Sequence, residues 1–416
     1  MINRREFSSL LAGAAAAPGI PSSIAWSQTM KKPVFYGSVG PELTLYDIDV
    51  ADAALIKRST ASTPGANIQY VWPHPSKRWL YVVSSDGGPG AIPGTRHIAQ
   101  AFLVDPGSGA LAPHGEPATL PSRPIHCSVD AKGEYLLTAF NIPSNITVHR
   151  IKPDGTIGEQ VTQPGGLDFG IFAHQILTTP GNRSAILVAR GNNAEPNKAE
   201  DPGALKVYGF KDGALSNLAS VQRGNGLGFG PRHIDFHPTK PWVFVSVERQ
   251  SQLFMYLLHA DGALARDPAF TKTSLAVPGN IRRAQAAGAV HVHPNGRFVY
   301  VTNRNSGMVE HEGKRVFAGG ENNVAVFSID QATGEPTLIQ NAEAPTIHLR
   351  TFAIDPSGKL LIASSIQPMA MRDGSTLSAA QVVYRIGDDG KLTFMRKYDV
   401  DTGKVMQFWT GIVTLG

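Results

Sequence analysis

The chain has 416 residues but a single cysteine, Cys127, so no internal disulfide can form and the thiol is read as a small strand-packing residue. Charge is also scarce: 17% of residues are Asp, Glu, Lys or Arg, the net charge is +5, and no Lys/Arg run interleaves with aromatics. That composition argues against a phosphate-backbone partner, so nucleic acid is excluded. No apolar run is long enough for a membrane-spanning helix, so stable membrane insertion is not expected. No G-x-S-x-G elbow is present, which leaves serine-nucleophile hydrolysis unsupported. The glycine run Gly224 to Gly230 is followed by no helical pattern and reads as a crossing loop, not a phosphate cradle.

What the chain has instead is glycine and proline, 43 and 30 residues, arranged in a recurring phrase. A short Asp/Gly turn leading into an apolar position occurs seven times, starting at Asp49, Asp105, Lys152, Lys211, His259, Gln331 and Gly387. Between these turns lies a second unit, a Pro, Asp or Gly turn followed by an alternating aromatic and β-branched strand. Its six copies begin at His74, Val129, Thr178, Phe236, Val292 and Ile354. A seventh is assembled from both chain ends, KPVFYGSV at Lys32 and FWTGIVTL at Phe408. Repeats of roughly 45 to 60 residues in a β-rich chain predict an all-β, seven-bladed β-propeller of four-stranded antiparallel blades over residues 32–416. The shared blade closes the ring and leaves no long unpaired sheet edge.

Residues 1–28 stand apart. Arg4 and Arg5 precede Phe7 and a weakly apolar Ala/Gly-rich stretch, the pattern of a twin-arginine export signal. The expectation is therefore a protein delivered to the periplasm by the twin-arginine translocase; the alternative is an amphipathic tail on a cytoplasmic protein.

Propeller sites lie where inner strands and their loops converge on the central channel. Four polar phrases sit at such places: Phe172-Ala173-His174-Gln175, Gly230-Pro231-Arg232-His233, Val247-Glu248 and Asn303-Arg304. His126 holds the pre-strand position one repeat before His174, and His291 alternates with His293 along one strand. With His233 and His237 these raise a metal site as an alternative, although no cysteine or paired carboxylate accompanies them.

The phrases GPRHIDFHPTKPWVFVSVE at Gly230, VHVHPNGRFVYVTNRNSG at Val290 and HLRTFAIDPSGKLLIAS at His348 resemble the seven-bladed propeller lactonases. That family includes bacterial 6-phosphogluconolactonases and fungal carboxymuconate lactonizing enzymes, and the resemblance runs from about residue 32 to the end. It implies a catalytic set of His174, Arg232, Glu248 and Arg304; His126, His233, His291 and Arg350 are the candidate substrate contacts beside them, with packing as the alternative for His126, and neither metal nor cofactor is expected. Phe172 departs from the family, which has a His there. The insertion MVEHEGKRVFAGGENN after Gly307 is a second departure, one expected to cover or narrow the site mouth.

Such a set suits the opening of a lactone. Water attacking the ester carbonyl builds negative charge on oxygen, which a fixed guanidinium stabilises, while a second arginine holds a carboxylate, a phosphate or sugar hydroxyls. His174 or Glu248 takes the proton. Each residue also has a structural reading: Arg232 with Glu248 as a buried ion pair, His174 as a satisfied core histidine. The implied activity is hydrolysis of a sugar lactone, with an unphosphorylated aldonolactone favoured if the protein is exported. A lactonizing cycloisomerase and a non-catalytic binding propeller are the alternatives.

Overall fold

A computed structural model describes residues 32–416 other than 64, 90, 91, 280 and 283; the expected leader lies outside the described residues. Lys32–Gly416 forms one compact unit. It consists of seven sheets of four antiparallel strands, plus two small two-stranded hairpins, and no α-helix occurs among the described residues. The propeller expected from the repeats is present. Blades are numbered here from the N-terminus, blade 1 being the one built from both chain ends.

Closure follows the expected scheme, with one strand from the C-terminus. Pro33–Val39 pairs with Thr410–Thr414, from Pro33 opposite Thr414 to Gly37 opposite Thr410. The C-terminal strand is thus the innermost strand of blade 1, and the N-terminal segment supplies the other three.

The two repeated phrases of the sequence lock onto each other across blade boundaries. Tyr36 of blade 1 donates its hydroxyl to Gly109 O of blade 2 at 2.5 Å, Tyr81 of blade 2 to Gly155 O of blade 3 at 2.8 Å, and Tyr300 of blade 6 to Gly390 O of blade 7 at 2.9 Å. Each tyrosine belongs to an aromatic strand and each glycine to an Asp/Gly turn. Their phenols are fully buried, so the hydrogen bond removes a desolvation cost of about 1–3 kcal/mol that an unpaired hydroxyl would carry. Gly155 adopts φ 87°, and a Cβ there would lie inside the Trp79 indole.

The HP turns make a second set of locks. His74 Nε2 meets Gly133 O at 3.0 Å, His237 Nε2 meets Gly296 O at 2.8 Å and His293 Nε2 meets Gly358 O at 2.9 Å, each in the following blade. His237 and His293 are therefore turn staples. Among the described residues no three His, Cys, Asp or Glu side chains are grouped so as to hold a metal ion.

Candidate active site

Within each blade the innermost strand begins at the same end of the channel at which the next strand finishes, because the two are antiparallel. In blades 2 to 7 the register between these strands slips near that end, at Gln69, Ile125, His174, Arg232, Gly288–Ala289 and Arg350. A β-bulge leaves one residue unpaired and re-aims its side chain. His174, Arg232 and Arg350 are thus one structural position repeated in blades 4, 5 and 7.

A second repeated position lies sixteen residues on, where the neighbouring strand ends: Asn141 after Ile125, Arg190 after His174, Glu248 after Arg232, Arg304 after Gly288. The two positions together build the site. Glu248 is its electrostatic centre, with Oε1 3.0 Å from Arg190 Nη1, and Oε2 3.0 Å from Arg232 Nε and 3.1 Å from Arg304 Nη2. These contacts tie blades 4, 5 and 6 to one carboxylate.

Burial by itself raises the Glu248 pKa, but Arg304, Arg190 and Arg232 overrule it and bring the value down to about 2. Glu248 is therefore a carboxylate at neutral pH. The imidazole of His174 is pushed the other way, well below 6.5, first by burial and then by the charges of Arg232, Arg350, Arg190 and Arg304. It is neutral, and its Nδ1 has no hydrogen-bond partner among the described residues. A neutral imidazole can accept a proton, whereas Glu248 is already engaged by three arginines.

Two adjoining cavities of about 690 and 470 Å³ open over this cluster and share Pro89, Glu248, Arg304, Arg350 and Phe408. His174, Arg190, Arg123 and Asn141 line the smaller one. Four guanidiniums, of Arg123, Arg190, Arg304 and Arg350, line the smaller cavity, and two of them, Arg123 and Arg350, have no ion-pair partner among the described residues. Both instead pack on Phe408, Arg350 with its guanidinium carbon 3.6 Å from the ring centroid and Arg123 at 5.7 Å. Burial lowers the Arg123 pKa to about 10, and burial with the neighbouring Arg232, Arg304 and Arg123 charges lowers that of Arg350. An anion bound between them would relieve both effects.

Of the residues expected from the sequence, His174, Glu248, Arg304 and Arg350 meet at these cavities. Arg232 joins the cluster from below: it is 1% exposed and lines neither cavity. Its Nη1 is 3.3 Å from Nδ1 and 3.2 Å from Nε2 of His233, so it rests on the ring face. Arg232 thus does not face the cavities, and its Nε holds the Glu248 carboxylate. His126 and His233 are also beneath the floor. His126 is fully buried with its ring 4.0 Å from Tyr70, and His233 lies 5.1 Å from the His174 ring. Neither lines the cavities, which corrects the substrate-contact expectation for both. His291 is corrected as well: it lies farther along its strand and lines a different cavity at the other end of the channel, beside Asp235.

Arg190, Arg123 and Asn141 were not picked out from the sequence. Arg190 was legible, since the sixteen-residue interval noted between Arg232 and Glu248 also runs from His174 to Arg190. The Phe172 departure is explained by the same arginine, whose guanidinium lies 4.1 Å above the Phe172 ring. The insertion after Gly307 forms a hairpin, Met308–His311 with Lys314–Phe317. No residue of the insertion lines either cavity, and Ser306, just before it, lines the larger one.

An all-β propeller with the Glu248 carboxylate, the neutral imidazoles of His174 and His348 and several arginines at its channel mouth has the equipment of a lactone-opening enzyme. The profile of the family described as Lactonase, 7-bladed beta-propeller matches residues 35–408, and the chain belongs to that family as a lactone-hydrolysing enzyme. Among its relatives, the 6-phosphogluconolactonase of Bacillus subtilis is 26% identical over 322 residues, 77% of this chain and 83% of that protein. The 6-phosphogluconolactonase of Pectobacterium carotovorum is 26% identical over 366 residues, 88% and 93% of the two chains. In fold the chain is similar to the periplasmic gluconolactonase of Pseudomonas aeruginosa, with a TM-score of 0.70 at 19% identity, covering 92% of this chain and 99% of that one.

Proposed function

We propose that the protein hydrolyses a sugar lactone to the aldonic acid, with His174 as general base and the cavity arginines as the electrostatic catalyst. Water held against His174 attacks the carbonyl carbon, and its proton passes to the imidazole. Negative charge moves to the carbonyl oxygen, where Arg304 and Arg350 are placed to receive it. Collapse of the tetrahedral species breaks the ring C–O bond, and the imidazolium returns the proton to the departing alkoxide. Glu248, fixed by three arginines, keeps the cluster from repelling itself apart and sets the orientation of Arg304.

The observation that carries this reading is the neutral His174 beside guanidiniums that lack a counter-ion. The same surplus of positive charge supports a lactone bearing an anionic group, phosphate or carboxylate, over the uncharged aldonolactone favoured by the export pattern alone. It also supports the second reading, a cycloisomerase acting on a muconate-type dicarboxylate. Export to the periplasm rests on Arg4 and Arg5 and on the compartment named for the Pseudomonas aeruginosa gluconolactonase.

A pH-stat screen of purified lactones, with the spontaneous rate subtracted, tests the proposal. Faster turnover of 6-phosphogluconolactone than of gluconolactone is expected, and no acceleration of any lactone would overturn it.

A further inference from the structure

The opposite end of the channel holds a second cavity, of about 490 Å³, which shares no lining residue with the two over Glu248. Tyr70, Trp72, Trp409 and Phe352, from the innermost strands of blades 2, 1 and 7 and the residue just before one of them, supply aromatic walls. Asp235 is its one acidic group. The carboxylate is anchored, Oδ2 accepting from Val292 N at 2.8 Å and Oδ1 from Phe236 N at 2.9 Å. His291 stands beside it, Nδ1 3.4 Å from Oδ2, and its ring meets Phe352 edge-on at 4.8 Å. Lys77 is at the rim.

We infer that this cavity is a second small-molecule site, distinct from the lactone site, for a small organic cation of the arylalkylamine class. Its volume lies within the usual range for ligand pockets, and it combines apolar walls with a few fixed polar groups. Aromatic faces attract a cation through their quadrupoles, and a carboxylate held rigidly by two backbone N–H groups supplies the counter-charge without reorganising. Each carboxylate oxygen keeps a lone pair beyond the backbone bonds it accepts. The inference does not depend on the lactone reading.

Phenethylamine, 2-phenylethanol and phenylacetate separate the possibilities, because they share a ring and differ in charge. Tryptophan fluorescence and calorimetry on the purified protein should show saturable binding of phenethylamine, weaker binding of the alcohol and none of the acid. Asp235→Asn, which keeps an acceptor for Phe236 N, should weaken phenethylamine about tenfold and leave the alcohol unchanged. Trp72→Leu should weaken both, and neither variant should change lactone hydrolysis. Thermal melts of both variants identify any that fails to fold, and Trp409→Phe provides a milder probe of the same wall. Preference for phenylacetate would assign the cavity to Lys77 and His291 as an anion site and overturn the inference. So would undetectable amine binding, competition between the amine and the lactone, or unchanged amine affinity in a normally folded Asp235→Asn protein.

Discussion

Arg190 follows His174 by sixteen residues, and its Nη1 crosses from blade 4 to meet Glu248 Oε1 of blade 5 at 3.0 Å. The guanidinium is held between that carboxylate and the Phe172 ring, so it is fixed in direction as well as charge. Removing it as Arg190→Met should lower kcat/KM of lactone hydrolysis by about a hundredfold, the scale of losing one pre-organised donor. Lactone kinetics beside a thermal melt check this; full activity would show that Arg190 only braces the blades.

Arg232 and His174 should separate in the same assay. Arg232→Ala takes from Glu248 its most buried partner and leaves the space of a fully buried side chain unfilled, so it should lower the melting temperature clearly. His174→Ala removes no ion-pair partner. It should keep a near-native melting temperature and lose two or more orders of magnitude in turnover. A His174→Ala protein that melts early yet turns over normally at low temperature would mark the cluster as a structural network.

Stability should fall with acid in two stages. His126, His174, His233 and His348 are all held well below 6.5 in the folded protein, chiefly by burial. Below pH 6.5 the unfolded chain binds protons that the folded one refuses, so stability present above that pH is lost as pH falls through the folded values. Glu248 adds a second loss: its stabilisation, on the order of 3 kcal/mol for a pKa lowered from 4.5 to about 2, is full above pH 4.5 and disappears toward pH 2. Melting temperatures measured from pH 8 to pH 3 should drop from about pH 6.5 downward, and Glu248→Gln should flatten the lower stage.

The activity profile follows from the same shift in His174. A base whose pKa lies well below 6.5 is already in its active form at neutrality. The hydrolysis rate, corrected for the spontaneous reaction, should be level from about pH 6.5 to 8 and fall only in acid. A rate that climbs steeply between pH 6 and 8 would point to a base other than His174.

Arg123 and Arg350 are expected to set charge selectivity. Arg123→Met should raise KM for a phosphorylated lactone by about tenfold and barely alter KM for an uncharged one, since a guanidinium–anion contact of this kind contributes through binding. Equal effects on both substrates would place Arg123 in a packing role on Phe408.

Export is checked in cells. Replacing Arg4 and Arg5 with lysine should strand the protein in the cytoplasm, and undiminished periplasmic accumulation would contradict the leader proposed here.

Much of this molecule is local in the chain. The seven Asp/Gly turns, the alternating aromatic strands and the split seventh repeat determined an all-β closed propeller, because turn chemistry and a two-residue side-chain period act over a few neighbours. The same periodicity brought His174, Glu248 and Arg304 to one end of the channel. What it could not determine was depth. Whether a residue at the mouth faces the cavity or lies under it depends on the bulge that re-aims it and on what the next blade places alongside. Arg232 and Arg350 occupy equivalent bulges, yet Arg232 is covered by Glu248, Arg304 and His233 while Arg350 lies open against Phe408. His291 shows the same limit along the strand, since three or four residues of rise carry a side chain from one mouth of the channel toward the other. Those outcomes were decided by contacts between blades, which are remote in sequence and exist only once the ring has closed.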